Sequence, residues 1–324
     1  MAVPAPAALT EAAAGHRSRT RATRGTAPVA SAGRRRAQRW VSLLFLAPTL
    51  VGIGVFTLVP ILASFVLAFF RWDVVSDPAF VGVDNVTAAA ADPSVRTAFA
   101  NTAVFVVAAV ALQLSVALGL AVLVQSRMPG WLRSFFRSAL FFPLVLSAAS
   151  VSLVMAYLFN QDFGLVNAAL ALVGVPAVPW LTDPAAAAVV VLLVYVWQNF
   201  GFSFLLFVGG LASIPRDVYE AAAVDGITGW ALFRHITLPL LSPTVLVASV
   251  MAVISALQVF DQPYVLTRGG PGDSTRTVVM VIFESAFQRL DVGTASAVGI
   301  VLTLLILAVT AVQFALSRRY VHYL

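Results

Sequence analysis

Hydrophobic residues along this chain are grouped in long uninterrupted runs. Six runs contain no Asp, Glu or Arg, and they lie at about residues 41–70, 98–125, 138–160, 185–213, 237–260 and 292–316. Each run exceeds the ~20 residues with which an α-helix crosses a bilayer. Because backbone polar groups in lipid need internal partners, such runs form helices there. The pattern predicts an all-α integral membrane protein with six transmembrane helices.

The runs and their connections predict one membrane domain at residues 41–320, preceded by a disordered, arginine-rich tail at residues 1–40. Hydrophobic residues make up 60% of the chain and charged residues only 10%. An arginine-rich segment suggests nucleic acid binding, but directly before a first span it is more often a topology signal. The acidic residues then fall mainly in the opposite loops. We therefore expect a multi-pass protein of the cell (inner) membrane with both termini cytoplasmic and no nucleic acid partner.

The residue types exclude several kinds of chemistry. All twenty basic residues are arginine, whereas a phosphate-binding P-loop needs a lysine. The spans carry no carboxylate of the kind that proton- or sodium-coupled transporters keep near the membrane midplane. There is no cysteine, the three histidines are scattered, and no nucleophile stands with a base. The sequence predicts no enzyme, no cofactor and no metal site, so any uphill transport needs energy from another chain.

A polar insert at about residues 213–239 separates the fourth and fifth runs. Pro215 suits the first turn of a helix and Gly226 suits the left-handed residue that ends one. These positions predict a helix of about ten residues, and Thr228 is placed to cap a second helix. The first of these helices carries three consecutive alanines, and its large or charged features include Tyr219, Glu220 and Asp225. This is poor material for a core and suits a segment that enters a cleft.

The insert resembles the EAA loop of the membrane subunits of ATP-binding-cassette (ABC) importers. The matching residues, in fixed order and spacing, are Glu220, Ala221, Ala222, Asp225, Gly226, Phe233, Ile236, Leu238 and Pro239. The chain departs from the family pattern at Ile227, where alanine is usual. The resemblance implies a type I importer permease fold and a loop that docks on a cytoplasmic ATPase. It assigns ATPase coupling to Glu220, Ala221, Ala222, Asp225, Gly226, Leu238 and Pro239.

The same resemblance implies partners and individual roles. They are a second permease that completes a heterodimer, a cytoplasmic ABC ATPase dimer and an extracytoplasmic solute-binding protein. Glu220 would make a charge-assisted hydrogen bond to an arginine of the ATPase, fixing a register in which alanines alone would slide. Gly226 would turn the chain toward the second helix, where a side chain would meet the cost of positive φ.

Further segments resemble the carbohydrate-uptake branch of these importers, and in particular the first of its two paired permeases. They are Pro48 and Pro60, Phe80 to Asn85, Phe163 to Asn167 with Trp180 and Leu181, and Leu266 to Thr275. The chain has only six spans, without the extra amino-terminal helices of some maltose-type members. The solute therefore stays open among sugars, polyols and glycerol phosphate.

Polar residues inside two spans are candidates for a substrate path. They are Trp197, Gln198 and Asn199 in the fourth run and Ser255, Gln258 and Gln262 in the fifth, where Asp261 shares their helical spacing. Aromatic rings against C–H faces, beside amides and hydroxyls, are what a neutral sugar requires of a pocket. The alternative is that these side chains tie helices together. Pro143 is expected to kink the third span and free backbone groups toward a cavity.

Two functional readings remain open from the sequence. One is a permease subunit that forms a solute path with a second permease and is driven by a separate ATPase. The other is a stand-alone channel or facilitator for a small polar solute, which needs no motor. Dependence of uptake on ATP separates the two.

Overall fold

The computed structural model describes residues 32–125 and 128–320, with only the backbone given for 32–42, 319 and 320. The chain divides into two compact units, Met1–Val59 and Pro60–Leu324. Residues 1–31 of the predicted tail lie outside the described residues. Helix α1, Ala32–Ile53, already begins within the segment predicted as tail, because Ala, Arg and Gln are good helix formers next to an apolar run.

The first unit contains α1 and a single π-helical turn, Gly54–Leu58. Helix α2 (Val59–Leu67) begins at the last residue of the first unit, and in the second unit it leads to a short antiparallel hairpin of β1 (Phe70–Arg71) and β2 (Ala79–Phe80). The helices that follow are α3 (Asp84–Ala91), α4 (Pro93–Gln125), α5 (Gly130–Val145), α6 (Ala148–Leu158), α7 (Leu165–Ala171) and α8 (Pro184–Ser213).

The remaining elements alternate short helices with two long ones. They are α9 (Arg216–Val224), α10 (Gly229–Leu232), a π turn (Phe233–Thr237), α11 (Leu238–Leu240), α12 (Ser242–Leu257), α13 (Asp261–Thr267), α14 (Val278–Phe283), a π turn (Glu284–Gln288) and α15 (Val292–Tyr320).

Four stretches of the described residues are long and apolar enough to cross a membrane as single helices: Leu43–Leu67, Pro93–Gln125, Pro184–Ser213 and Val292–Arg318. Two more arise if each bent pair counts as one span. The pair α5 and α6 bends by 96°, and the pair Gly229–Leu240 and α12 bends by 70°. The all-α membrane fold is thus confirmed, with six spans when the bent pairs are included.

The core of the second unit lies along α4 and α8, and α5 and α12 pack against this pair. Buried Phe204 and Phe207 of α8 contact Ala117 and Ala121 of α4 in one apolar cluster. Gly201 lets α5 approach α8 closely, because a Cβ there would lie 2.7 Å from the Leu140 carbonyl oxygen. Small residues therefore bring the long helices together, as is usual where lipid gives no hydrophobic drive for association.

Two buried asparagines anchor the loops that resemble the carbohydrate-uptake branch. The Asn85 amide donates to the carbonyls of Ala68 and Phe70, each at 2.9 Å. The Asn167 amide donates to two carbonyls, and its oxygen accepts from the Trp180 indole at 2.8 Å. Both side chains satisfy backbone or indole groups that loops leave without helical partners. These motif residues therefore hold the fold.

Candidate functional site

The polar insert forms the helix that its sequence predicts. Helix α9 begins directly after Pro215 and ends at Val224, and Gly226 follows with φ +73°. The Ile227 N–H donates to the Ala222 carbonyl at 2.9 Å, and the Gly226 N–H donates to that of Ala223. This pairing is the Schellman end that a left-handed glycine permits. Thr228 precedes α10, but its side chain makes no capping hydrogen bond, and α10 lasts only one turn.

Helix α9 has a packed face and an exposed face. Val218 and Tyr219 pack against the core cluster at the ends of α4 and α8, and Ala222 is buried. The opposite stripe, spaced at i, i+3, i+4 and i+7, is exposed: Asp217, Glu220, Ala221 and Val224. The expectation that α9 is poor core material is therefore wrong for one face, since Val218 and Tyr219 pack against apolar side chains.

The other predicted coupling residues follow α9 in the chain. Asp225 and Gly226 are exposed at its carboxyl end, whereas Leu238 and Pro239 are half-buried in α11, just before the 70° bend into α12. A cavity of about 610 Å³ lies beneath α9, and its walls come from the ends of α4 and α8, from α9 and from the π turn at Phe233. Val218 and Tyr219 of α9 pack against an apolar cluster that includes residues of α4, α8 and α12, so α9 is in side-chain contact with the spans.

A second cavity, about 250 Å³ in volume, lies where two spans are broken. We call it the polar pocket, and its walls come from the α5–α6 break, the middle of α8 and the α12–α13 break. Five of the six residues predicted for a substrate path line it: Gln198, Asn199, Ser255, Gln258 and Gln262.

Hydrogen bonds join the three walls of the polar pocket. The Gln198 amide donates to the carbonyl oxygen of Leu146 at 3.1 Å, and its own oxygen accepts from the Gln262 amide at 2.9 Å. Leu146 directly follows the end of α5 and lies three positions after Pro143, so the expected kink does free a carbonyl toward a cavity. Gln198 and Gln262 are each only 4% exposed. These two side chains tie the broken helices together.

The other three lining residues leave polar atoms nearer the open space. The Asn199 amide donates to the Tyr195 carbonyl of its own helix at 2.9 Å, and the Tyr195 hydroxyl donates to Ser255 at 3.1 Å. Gln258 is exposed where α12 ends. Amide and hydroxyl groups of this kind can bond to sugar hydroxyls.

Two sequence expectations are corrected here. Trp197 lies outside the polar pocket, and its side chain is 40% exposed, because it projects from a different side of α8 than Gln198. Residues 255–262 do not follow one helix, since α12 ends at Leu257 and α13 begins at Asp261. Pro263 suits the first turn of a new helix. The backbone break, not helical spacing, brings Ser255 and Gln262 to one cavity.

Sequence reasoning missed some contributors to the polar pocket. Phe260 and the backbone at Leu146 line it, yet an apolar side chain and a carbonyl carry no recognisable motif. Tyr195 also lines it, and its hydroxyl donates to Ser255. Within the described ranges, no group of three or more His, Asp or Glu side chains is arranged to hold a metal ion.

Comparison with known families gives one match that covers more than half of the chain. Residues 115–322 match the family described as the binding-protein-dependent transport system inner membrane component. The sulfoquinovosyl glycerol transport permease of Agrobacterium fabrum is 35% identical over 282 residues, which cover 86% of this chain and 91% of that protein. The lactose transport permease of Rhizobium radiobacter is 32% identical over 280 residues, covering 85% and 93%.

A third relative and a solved structure agree with this match. The trehalose/maltose transport permease of Thermococcus litoralis is 32% identical over 277 residues, covering 85% of this chain and 92% of that one. A chain of a bacterial ABC transporter for import of the acidic polysaccharide alginate superposes with a TM-score of 0.80 at 22% identity, covering 89% and 98%. At that identity the structural likeness speaks for the fold alone.

Proposed function

Because this chain belongs to the family of inner membrane components of binding-protein-dependent transport systems, and is thus an ABC importer permease subunit and not an enzyme, we propose that it carries a sugar or related hydroxyl-rich solute inward. It pairs with a second permease, and the two line one path. A cytoplasmic ATPase dimer drives the change of conformation, and an extracytoplasmic solute-binding protein delivers the solute. Both termini of this chain lie in the cytoplasm.

The proposal that α9 is the coupling element rests on its exposed stripe of side chains. Its opposite face is packed on the ends of α4 and α8, so a force on the stripe reaches the spans without a flexible linker. Glu220 stands in the middle of the stripe and is exposed. A carboxylate there can accept a charge-assisted hydrogen bond from an arginine of the ATPase. Ala221 leaves room for close approach, and Val224, 88% exposed, supplies apolar contact area.

The polar pocket supports a hydroxyl-rich solute. Its wall combines an aromatic ring at Phe260 with the polar side chains of Asn199, Ser255 and Gln258. The relatives named for sulfoquinovosyl glycerol, lactose and trehalose or maltose act on solutes of this chemical class. At about 250 Å³ the cavity is slightly smaller than the usual ligand site, which suits a site whose remaining walls come from the second permease.

The test is solute uptake by proteoliposomes that contain the complete importer, with ATP inside and the solute-binding protein outside. Glu220→Ala removes one charged hydrogen bond, worth about 1.5–3 kcal/mol. We expect solute-stimulated ATPase activity and uptake to fall at least about tenfold, while membrane insertion is unchanged. Asp162→Ala, which removes an exposed carboxylate in the loop after α6, is the matched control and should behave like the wild type.

A stand-alone facilitator is the competing function, and the same vesicles separate the two. Uptake that continues without ATP and without the ATPase subunits would replace the importer proposal. ATP-dependent uptake with equal activity of Glu220→Ala would keep the importer and remove α9 as its coupling element.

A further inference from the structure

We propose that four aromatic rings, belonging to Phe260, Tyr264, Phe283 and Phe287, form a track along which the solute reaches the polar pocket. We call these rings the aromatic track. The inference rests on the proposed function in one respect, namely that the solute is hydroxyl-rich and has the C–H faces of a sugar ring.

The rings form an unbroken series of contacts. The centroids of Phe287 and Phe283 are 5.3 Å apart, and Phe283 lies 5.3 Å from Tyr264 and 5.0 Å from Phe260. Phe260 and Tyr264 are stacked, with centroids 4.8 Å apart and ring planes 20° from parallel. These separations are those of favourable aromatic pairs. The four side chains therefore form one contiguous cluster of rings.

The two ends of the aromatic track differ in a way that suits entry and delivery. At the outer end, Phe287 is 72% exposed. At the inner end, Phe260 lines the polar pocket beside Gln258 and Asp261. Tyr264 and Phe283 lie between them and are half-buried. A solute that stacks on Phe287 would thus have a path of ring faces to the side chains that bond its hydroxyls.

The position along the chain places the aromatic track on the side of the membrane opposite the coupling helix. Helix α9 precedes the span that contains α12, whereas all four rings lie between α12 and α15. One membrane crossing therefore separates them. For an importer whose ATPase docks at α9, the aromatic track faces the compartment from which the solute comes.

Polar contacts hold the rings in place. Arg276 is bonded to Asp273 at 3.2 Å and to Glu284, the first residue of the π turn that carries Phe287. The Thr277 hydroxyl donates to the carbonyl of Val259 at 3.0 Å, next to Phe260. Because both ends of the series are fixed to the same loop, a solute meets rings that are already ordered, which lowers the entropy cost of binding.

Hydrogen-bonding groups accompany the rings, which favours a sugar over an apolar partner surface. The Gln288 amide lies 3.5 Å from the Tyr264 hydroxyl, and Gln258 is exposed at the inner end. An aromatic face for C–H groups with amides and a hydroxyl at its edge is the combination that a sugar ring requires. A face built only for packing against a second permease would not need these groups beside it.

The experiment measures ATP-driven uptake of labelled lactose, maltose and trehalose by the complete reconstituted importer. Phe287→Leu keeps apolar bulk and removes the ring, whereas Phe287→Tyr keeps the ring. Phe163→Leu, at an exposed phenylalanine in the loop after α6, is the matched control. For the sugar that the wild type carries, we expect Phe287→Leu to lower uptake at subsaturating solute by about three- to tenfold. Phe287→Tyr and Phe163→Leu should stay within about twofold of the wild type.

The other outcomes are distinct. Equal uptake by Phe287→Leu and Phe163→Leu would overturn the aromatic track and leave the proposed function standing. Failure of Phe287→Leu to assemble with the second permease would also overturn it, since Phe287 would then be a packing residue between subunits. If the wild type carries none of the sugars and the importer carries a solute without ring C–H faces, the proposed solute class and the aromatic track fail together.

Discussion

The bond between Gln198 and Gln262 provides a direct test of how the polar pocket is held together. Gln198→Leu removes two hydrogen bonds, the one to the Leu146 carbonyl and the one from Gln262. Interhelical hydrogen bonds in membranes are worth about 0.6 kcal/mol on average and up to about 1.7. The variant should therefore lose about 1–3 kcal/mol of stability. Gln262→Leu breaks only the shared bond and should lose about 0.6–1.7 kcal/mol.

A double-mutant cycle isolates the shared bond, because Gln198→Leu and Gln262→Leu each remove it and the double variant removes it only once. We expect a coupling energy of about 0.6–1.7 kcal/mol, measured by reversible unfolding in mixed micelles with increasing SDS at fixed protein concentration. The control pairs Gln198→Leu with Ser203→Ala, which loses the separate bond from Gln113. That pair should be additive within about 0.5 kcal/mol. A coupling energy within about 0.5 kcal/mol of zero for Gln198 and Gln262 would refute the stabilising hydrogen bond between them.

Two glycine substitutions test the local geometry, and each has a control substitution at a glycine whose position tolerates a side chain. Gly226→Ala has open space for its Cβ, but its φ is +73°. The variant should therefore lower the free energy of unfolding by about 1–2 kcal/mol and reduce ATPase coupling. The control, Gly209→Ala, has equal space and a helical φ, and it should be neutral or stabilising. Gly293→Ala would place its Cβ 2.2 Å from the Phe70 carbonyl oxygen and should lower the free energy of unfolding by about 1–3 kcal/mol. The control, Gly299→Ala, meets only one atom, at 4.0 Å. Equal melting temperatures for the two variants would contradict the close approach of Phe70 to Gly293.

The straight spans could be predicted closely from hydrophobic runs. The runs at 98–125 and 185–213 correspond to Pro93–Gln125 and Pro184–Ser213. Apolar composition fixes these because the bilayer requires an unbroken helix of that length. The run at 138–160 was predicted as one span, and the 96° bend after Val145 was beyond the pattern. Pro143 indicated a kink, but its angle depends on packing against α8 and on the Gln198 bond to Leu146.

The candidate sites, like the spans, could be predicted from the sequence only in part. The bounds of α9 followed from Pro215 and Gly226, since both have backbone requirements that hold in any context. Which face of α9 packs inward could not be read from a sequence rich in alanine. Trp197 was misplaced because a polar or aromatic type does not tell which way a residue projects from a helix that is contacted on several sides. The aromatic track could not be seen in the sequence, since its four rings come from the break before α13, from α13, from α14 and from a π turn.

The measurement that tests the central claim most directly is affinity purification of the tagged chain from its own membranes in mild detergent, followed by mass spectrometry of the proteins bound to it. We expect to recover a second permease with its own EAA loop and an ATPase with a lysine-containing P-loop. We also expect Glu220→Arg, which reverses the charge on the exposed stripe of α9, to lose the ATPase and keep the second permease. A chain that purifies alone and still conducts solute in liposomes without ATP would contradict the proposed function.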